Sequence, residues 1–138
     1  MTEVKTRWLN DLTFESSVGN QTILMDADPK VGGHNRGSRP KPLLLAALAG
    51  CTGMDVVSLL NKMRVAFRDF QIDVQGELTH EHPKYYHKIR IIYILKGKDI
   101  DRSKVEKAVS LSQDKYCGVS AMLCKAAEIT FEIRIEEE

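Results

Sequence analysis

No two cysteines in this chain are spaced Cys-x-x-Cys, and three in 138 residues are too few for a disulfide scaffold or a structural zinc site. Neither charge sign is in excess, since 20 basic residues stand against 19 acidic ones for a net charge of +1. The basic residues are scattered and no aromatics are interleaved with them, so no nucleic-acid or membrane-surface partner is expected. There is no internal repeat, low-complexity tract or linker, and a single domain over residues 1–138, large enough for a hydrophobic core, is expected. With an odd cysteine count and no signal-like leader, the expected compartment is the reducing cytoplasm, where a disulfide is transient and catalytic. Leu48-Ala49-Gly50-Cys51 imitates a lipid-attachment box, but such a box lies within about the first 15–30 residues and this one follows strand patterns. Asp55 interrupts the apolar run that starts at Leu43, before it reaches the roughly 20 residues a bilayer requires.

What is present is a sequence of alternating segments around one long apolar stretch. Val4, Thr6 and Trp8 alternate with charged residues, Asn10-Asp11 makes a turn, Leu12 and Phe14 follow, and Val18-Gly19-Asn20 turns into Thr22–Met25. Residues Ala27 to Lys41 read as a loop that is long for a compact domain, the kind that often carries function. Phe70, Ile72 and Val74 give a half-buried strand, and Ile89, Ile91, Tyr93 and Leu95 give the next, with a connection around Pro83. Ser103-Lys-Val-Glu106 has the form of a capping box, opening a helix that carries Val105, Ala108, Val109, Ser112 and Tyr116. A short helix is expected from Cys117 or Gly118, and Ile129 to Ile135 alternate as a last strand. This order gives an α+β domain with mostly antiparallel sheet.

The apolar stretch poses a packing problem. A helix is expected from Pro42, at its first position, to about Met63. From Leu43 to Met54 it carries no charge, so it needs cover on every side. Ala46, Gly50 and Gly53 line one face and let another backbone come close. One short chain struggles to enclose such a helix, whereas a homodimer packing two of them together does so.

Two segments carry a family likeness: Ala49-Gly-Cys51-Thr-Gly-Met-Asp-Val-Val57 and Asp114-Lys-Tyr-Cys117-Gly-Val119. With the order of elements along nearly the whole chain, they resemble the OsmC/Ohr family of hydroperoxide-reducing proteins, in its OsmC-like branch. The resemblance implies antiparallel sheets wrapped around a long central cysteine-bearing helix, in an intertwined homodimer. It also implies a thiol-dependent peroxidase acting on organic hydroperoxides. Cys51 would attack the peroxide and become a sulfenic acid, Cys117 would resolve it as a disulfide, and an unnamed dithiol reductant would reopen it. The family's peroxidases activate the thiolate with a glutamate at the helix start and an arginine in the first hairpin. Here Arg39-Pro40-Lys41-Pro42-Leu43 has proline in place of the acid, and Trp8-Leu9-Asn10-Asp11 has no arginine. Arg36 and Arg39 are the nearest substitutes, and Arg39 is the candidate activator.

A buried cysteine is by default a small inert hydrophobe. Cys51 lies too deep in its helix to gain from the N-terminal dipole, whereas Cys117 stands at a helix start. Cys124 reads as packing and Asp55 as a helix-surface or interface carboxylate. His80, His82 and His87 read as solvated residues of the hairpin, and neither metal nor cofactor is expected. Besides the peroxidase, two readings stay open: an OsmC-like small-molecule binder with little turnover, favoured by Pro42, and a dimer whose cysteines only fill space.

Overall fold

Alternation becomes strand wherever a turn residue lets the chain reverse. In the computed structural model, which describes residues 1–138, strands β1 (Val4–Asn10), β2 (Thr13–Val18) and β3 (Gln21–Met25) form an antiparallel sheet in the order β1-β2-β3. Asp11 makes the first turn at φ 49°, a left-handed conformation that a short polar side chain tolerates. The chain divides into two compact units, Met1–Leu44 and Leu45–Glu138.

The buried side chains of Met1–Leu44 are polar: Thr13, Ser16 and Asp26. Its apolar residues lie outside, β1 is exposed along its whole length, and Trp8 is 62% exposed. The long stretch after β3 is not an open loop. Asp26 organises it, accepting hydrogen bonds from the Thr13 hydroxyl (2.9 Å) and from the backbone N–H groups of Ala27 (2.7 Å), Arg36 (3.0 Å) and His34 (3.3 Å). Burial alone would raise the pKa of this carboxyl, but the four donors outweigh it and bring it down to about 2. A 3-10 turn (Pro29–Val31), capped by Asp28, and a bridge between Met25 and Ser38 complete the segment. The backbone passes so close to itself that a Cβ on Gly33 would sit 2.0 Å from the Ala27 carbonyl oxygen.

In Leu45–Glu138, β4 (Asp69–Leu78), β5 (Tyr86–Gly97) and β6 (Glu128–Glu137) form a sheet in that order. β4 and β5 pair antiparallel, as the hairpin spacing predicts. β5 and β6 pair parallel, from Lys88–Glu128 to Gly97–Glu137, so this sheet is mixed, while the other pairings of the fold are antiparallel, in keeping with the expected mostly antiparallel sheet. The cause of the parallel pair is the helical crossover between β5 and β6, which returns the chain to the end of the sheet where β5 began.

Helix α1 runs Pro40–Lys62, two residues earlier than expected at its start. Pro42 sits in the first turn, where the missing N–H has no intrahelical partner to lose. By length and composition alone the helix is apolar enough to cross a membrane, with a mean hydropathy of 2.0 over its best window, so Asp55 does not shorten it. Leu48, Thr52, Val56 and Leu60, at a spacing of four, form its fully buried stripe. They join Ile91, Tyr93 and Leu95 of β5 and Val105, Ala108 and Val109 of α2 (Arg102–Leu111) in one core. Each large aliphatic side chain buried there contributes about 1.5–3 kcal/mol. Elsewhere on the helix Ala46, Gly50 and Ser58 are exposed and Met54 is 77% exposed, so this chain alone covers one stripe of it.

The expected capping box at Ser103 is not formed. Asp101 caps α2 instead, accepting from the Ser103 and Lys104 N–H groups and from the Ser103 hydroxyl, because a carboxylate two residues upstream is the stronger acceptor.

Candidate thiol site

Helix α1 brings Cys51, Thr52 and Asp55 to the crossover that follows α2. The helix there widens into a π-turn at Ser112–Tyr116, closed by the Cys117 N–H donating to the Ser112 carbonyl at 2.7 Å. Cys117 is extended (φ −76°, ψ 101°) and caps α3 (Gly118–Leu123), its Sγ accepting from the Ser120 N–H at 3.3 Å. The two thiol sulfurs and an Asp55 carboxylate oxygen thus lie within 4.8 Å of one another.

Cys117 is only 3% exposed, while Cys51 and Asp55 are half-buried. Burial pushes the Cys117 thiol up to about 11. The Ser120 N–H opposes this, while the Cys51 thiol and the Asp55 charge add to it. Cys117 is therefore protonated at neutral pH.

Beneath the thiols lies a closed polar network. Ser112 Oγ donates to Asp55 Oδ2 at 3.0 Å, and a carboxylate can only accept. Since this uses the one Ser112 proton, Thr52 Oγ1, at 2.7 Å, must donate to Ser112. The Tyr93 hydroxyl, also 2.7 Å away, must then donate to Thr52. Gln113 Nε2 gives its two protons to Thr52 Oγ1 (3.1 Å) and the Tyr93 hydroxyl (3.0 Å), and Ser120 Oγ donates to Gln113 Oε1 at 2.7 Å. Three hydroxyls therefore point one way, from the core to the carboxylate. No buried side-chain polar atom lacks a partner. Burial raises the Tyr93 pKa, against its hydrogen bonds with Thr52 and Gln113, so this hydroxyl keeps its proton.

Of the residues singled out from sequence, Cys51 and Cys117 come together. Arg39, in Met1–Leu44, donates to Asn35 Oδ1 (2.9 Å) and the Gly37 carbonyl (3.3 Å) and lies 3.7 Å from Asp28 Oδ2. Arg36 is bound to the Asn10 side chain. Cys124 is exposed rather than packed, its thiol donating to the Ala121 carbonyl at 3.3 Å. His87 pairs with Glu77 at 2.8 Å, and His80 and His82 are exposed. Sequence reasoning left out the Thr52–Tyr93–Ser112–Gln113 network and did not bring Asp55 to Cys117. The usable signal was Asp55 one turn from Cys51, where an i, i+4 pair shares a face. A groove of about 690 Å³ runs beside α1, lined by Gly50, Gly53, Met54, Val57, Phe70 and Ile72 among others.

Residues 33–134, which include both converging cysteines, match the profile of the family described as OsmC-like protein. The chain belongs to the OsmC-like family. It is 36% identical over 130 residues to Protein YhfA of Escherichia coli strain K12, covering 93% of each chain. A hypothetical protein from Aquifex aeolicus VF5 is similar in structure, with TM-score 0.83, 32% identity, and coverage of 99% of this chain and 98% of that one. An organic hydroperoxide resistance protein OsmC from Legionella pneumophila shares the fold at TM-score 0.72, with 14% identity and coverage of 97% and 96%. The OsmC-like α+β fold, with its two sheets and helices, is thus the fold of this chain.

Proposed function

We infer that this OsmC-like protein is a thiol-dependent peroxidase for organic hydroperoxides. The observation that carries the reading is the approach of the Cys51 and Cys117 sulfurs to within 4.8 Å, from two elements far apart in sequence. In the first step the Cys51 thiolate attacks the distal peroxide oxygen. The O–O bond breaks, the alcohol leaves with a proton, and Cys51 becomes a sulfenic acid. Cys117 then attacks the sulfenic sulfur, giving a disulfide and water, and an external dithiol returns both thiols. Arg39 remains the candidate for steadying the Cys51 thiolate, and the reading places the protein in the cytoplasm.

The same reading takes residues 1–138 as one OsmC-like domain working as an intertwined homodimer. What supports the dimer is, in one unit, 44 residues with no buried apolar side chain and, in the other, a helix with an uncovered face. Units this small need a partner or a covalent brace. Gly50 has open space around it, so Gly50→Leu should cost stability only through the partner. Sedimentation of a folded monomer at micromolar concentration would remove the dimer.

The second reading, a binder with little turnover, is favoured by two observations: Cys117 is held protonated, and Pro42 stands where the family's peroxidases have an acid. A thiol titration separates the two. The peroxidase loses two thiols per chain at stoichiometric organic hydroperoxide, Cys51→Ser abolishes consumption, and Cys117→Ser traps a sulfenic acid. A binder loses few or none, and reaction no faster than a free small thiol ends the peroxidase reading.

A further inference from the structure

We propose that Cys51, Cys117 and Asp55 form a reversible binding site for a thiophilic divalent cation of the zinc class. The donors are two sulfurs and one carboxylate oxygen, all within 4.8 Å. Two thiolates on one tetrahedral zinc lie roughly 3.8 Å apart, given Zn–S bonds of about 2.3 Å, so small side-chain rotations close the site. Two sulfurs select zinc, cadmium or cobalt over magnesium or calcium, which prefer all-oxygen ligands.

The surroundings are those a metal ligand needs. Ser112 Oγ donates to Asp55 Oδ2, which orients the carboxylate and leaves it further lone pairs for an ion. Thr52, Tyr93 and Gln113 hold Ser112 in turn, so the ligand rests on a fixed hydroxyl chain rather than on a mobile surface. Asp55 stands beside two thiols with no lysine or arginine paired to it, so no side-chain cation already fills the place an ion would take. A coordinating thiol gives up its proton outright, so the ion turns the buried Cys117 into a thiolate and the proton goes to solvent. With three protein ligands the fourth position stays open, as in exchangeable rather than structural sites.

Cation binding and disulfide formation need the same two sulfurs and exclude each other. A bound ion masks Cys51 from peroxide, and the disulfide leaves only Asp55 as a ligand. The proposal rests on the geometry of the site, and its test does not depend on peroxide turnover.

The full-length protein, reduced and stripped of metal, is titrated with Co²⁺ and separately with Cd²⁺ in the absence of peroxide. The expected result is thiolate-to-metal charge-transfer absorption that saturates at one ion per chain, is displaced by Zn²⁺ and ignores Mg²⁺. Cys51→Ser and Cys117→Ser should each weaken the band, the latter keeping a side-chain acceptor at the start of α3, and the double variant should abolish it. Asp55→Asn should lower affinity about 10–100-fold. Cys124→Ser should change nothing. No thiolate band in the wild-type protein overturns the site whatever the variants do, and so does a band that survives in the double variant. A protein that binds cobalt but ignores peroxide keeps this site while the peroxidase reading fails. One that consumes peroxide but gives no band does the reverse.

Discussion

Asp26 and Cys117 are sunk to the same depth, each 3% exposed, yet their pKa values shift in opposite directions. The Asp26 carboxyl is held at about 2, ionised, and the Cys117 thiol at about 11, protonated. Burial raises both pKa values, so depth does not separate them. Asp26 receives four hydrogen bonds, three of them from backbone N–H groups, and those donors favour the charge. Cys117 receives one, to a weakly accepting sulfur, and faces another thiol and a carboxylate. The ordinary values, 3.8 and 9.0, already set the two charge states at neutral pH; the donors push the first further down and burial pushes the second further up.

The strongest way to break the contrast is to remove the anion. Asp26→Ala leaves the Thr13 hydroxyl and three N–H groups without an acceptor, and should melt residues 26–38 first. Hydrogen exchange at the His34 and Arg36 amides checks this, and unchanged protection there refutes the cage. Asp26→Asn should fall between the two. The pH signs also differ. The folded pKa of Asp26 lies below the ordinary 3.8, so its contribution is complete above that pH and is lost as pH falls towards about 2. The folded pKa of Cys117 lies above the ordinary 9.0, so stability declines instead as pH rises from 9.0 towards about 11.

Next in size is Gly33→Ala. Its Cβ would meet the Ala27 carbonyl oxygen at 2.0 Å, so the cage must open, at a cost of about 1–3 kcal/mol or more in denaturant unfolding. Thr52→Val tests the other pole, because it deprives Ser112 of a donor and strands Tyr93 and Gln113. About 1–3 kcal/mol should be lost, with the fold retained by circular dichroism. Asp55→Asn should act least on stability. Removing the weakest of the influences that raise the Cys117 pKa should lower it slightly, read as faster alkylation at pH 8 in the Cys51→Ser, Cys124→Ser background. Slower alkylation would show that Asp55 assists the thiol rather than restraining it.

Strands and helices were legible because side-chain period follows local geometry. Ile129, Phe131, Ile133 and Ile135 alternate as β6 does, and Leu48, Val56 and Leu60 keep the helical period. The direction of β6 was not legible, since alternation is the same in parallel and antiparallel strands. The capping residue was misplaced because Ser103 and Glu106 fit the pattern, while Asp101 wins on charge. At the site, both cysteines stood out by residue type and company. Their meeting, and the carboxylate between them, depend on a tertiary approach that sequence spacing does not encode. The Asp26 cage was hidden for a related reason, because its donors are mostly backbone N–H groups, which every non-proline residue carries.

The π-turn at Ser112–Tyr116 has a consequence for insertion and deletion rather than for substitution. A π-turn is an α-turn with one residue to spare, and each helical residue turns the chain by about 100°. Shortening this stretch by one residue, for instance by losing Asp114, would let it relax to an ordinary α-turn with every side chain of the site still encoded. Five residues in a π-turn sweep about the same angle as four in an α-turn, so Cys117 would keep its phase relative to Ser112 and stay near Cys51. The turn is therefore a place where the chain can lose a residue without moving the second thiol, whereas the regular α1 has no such slack.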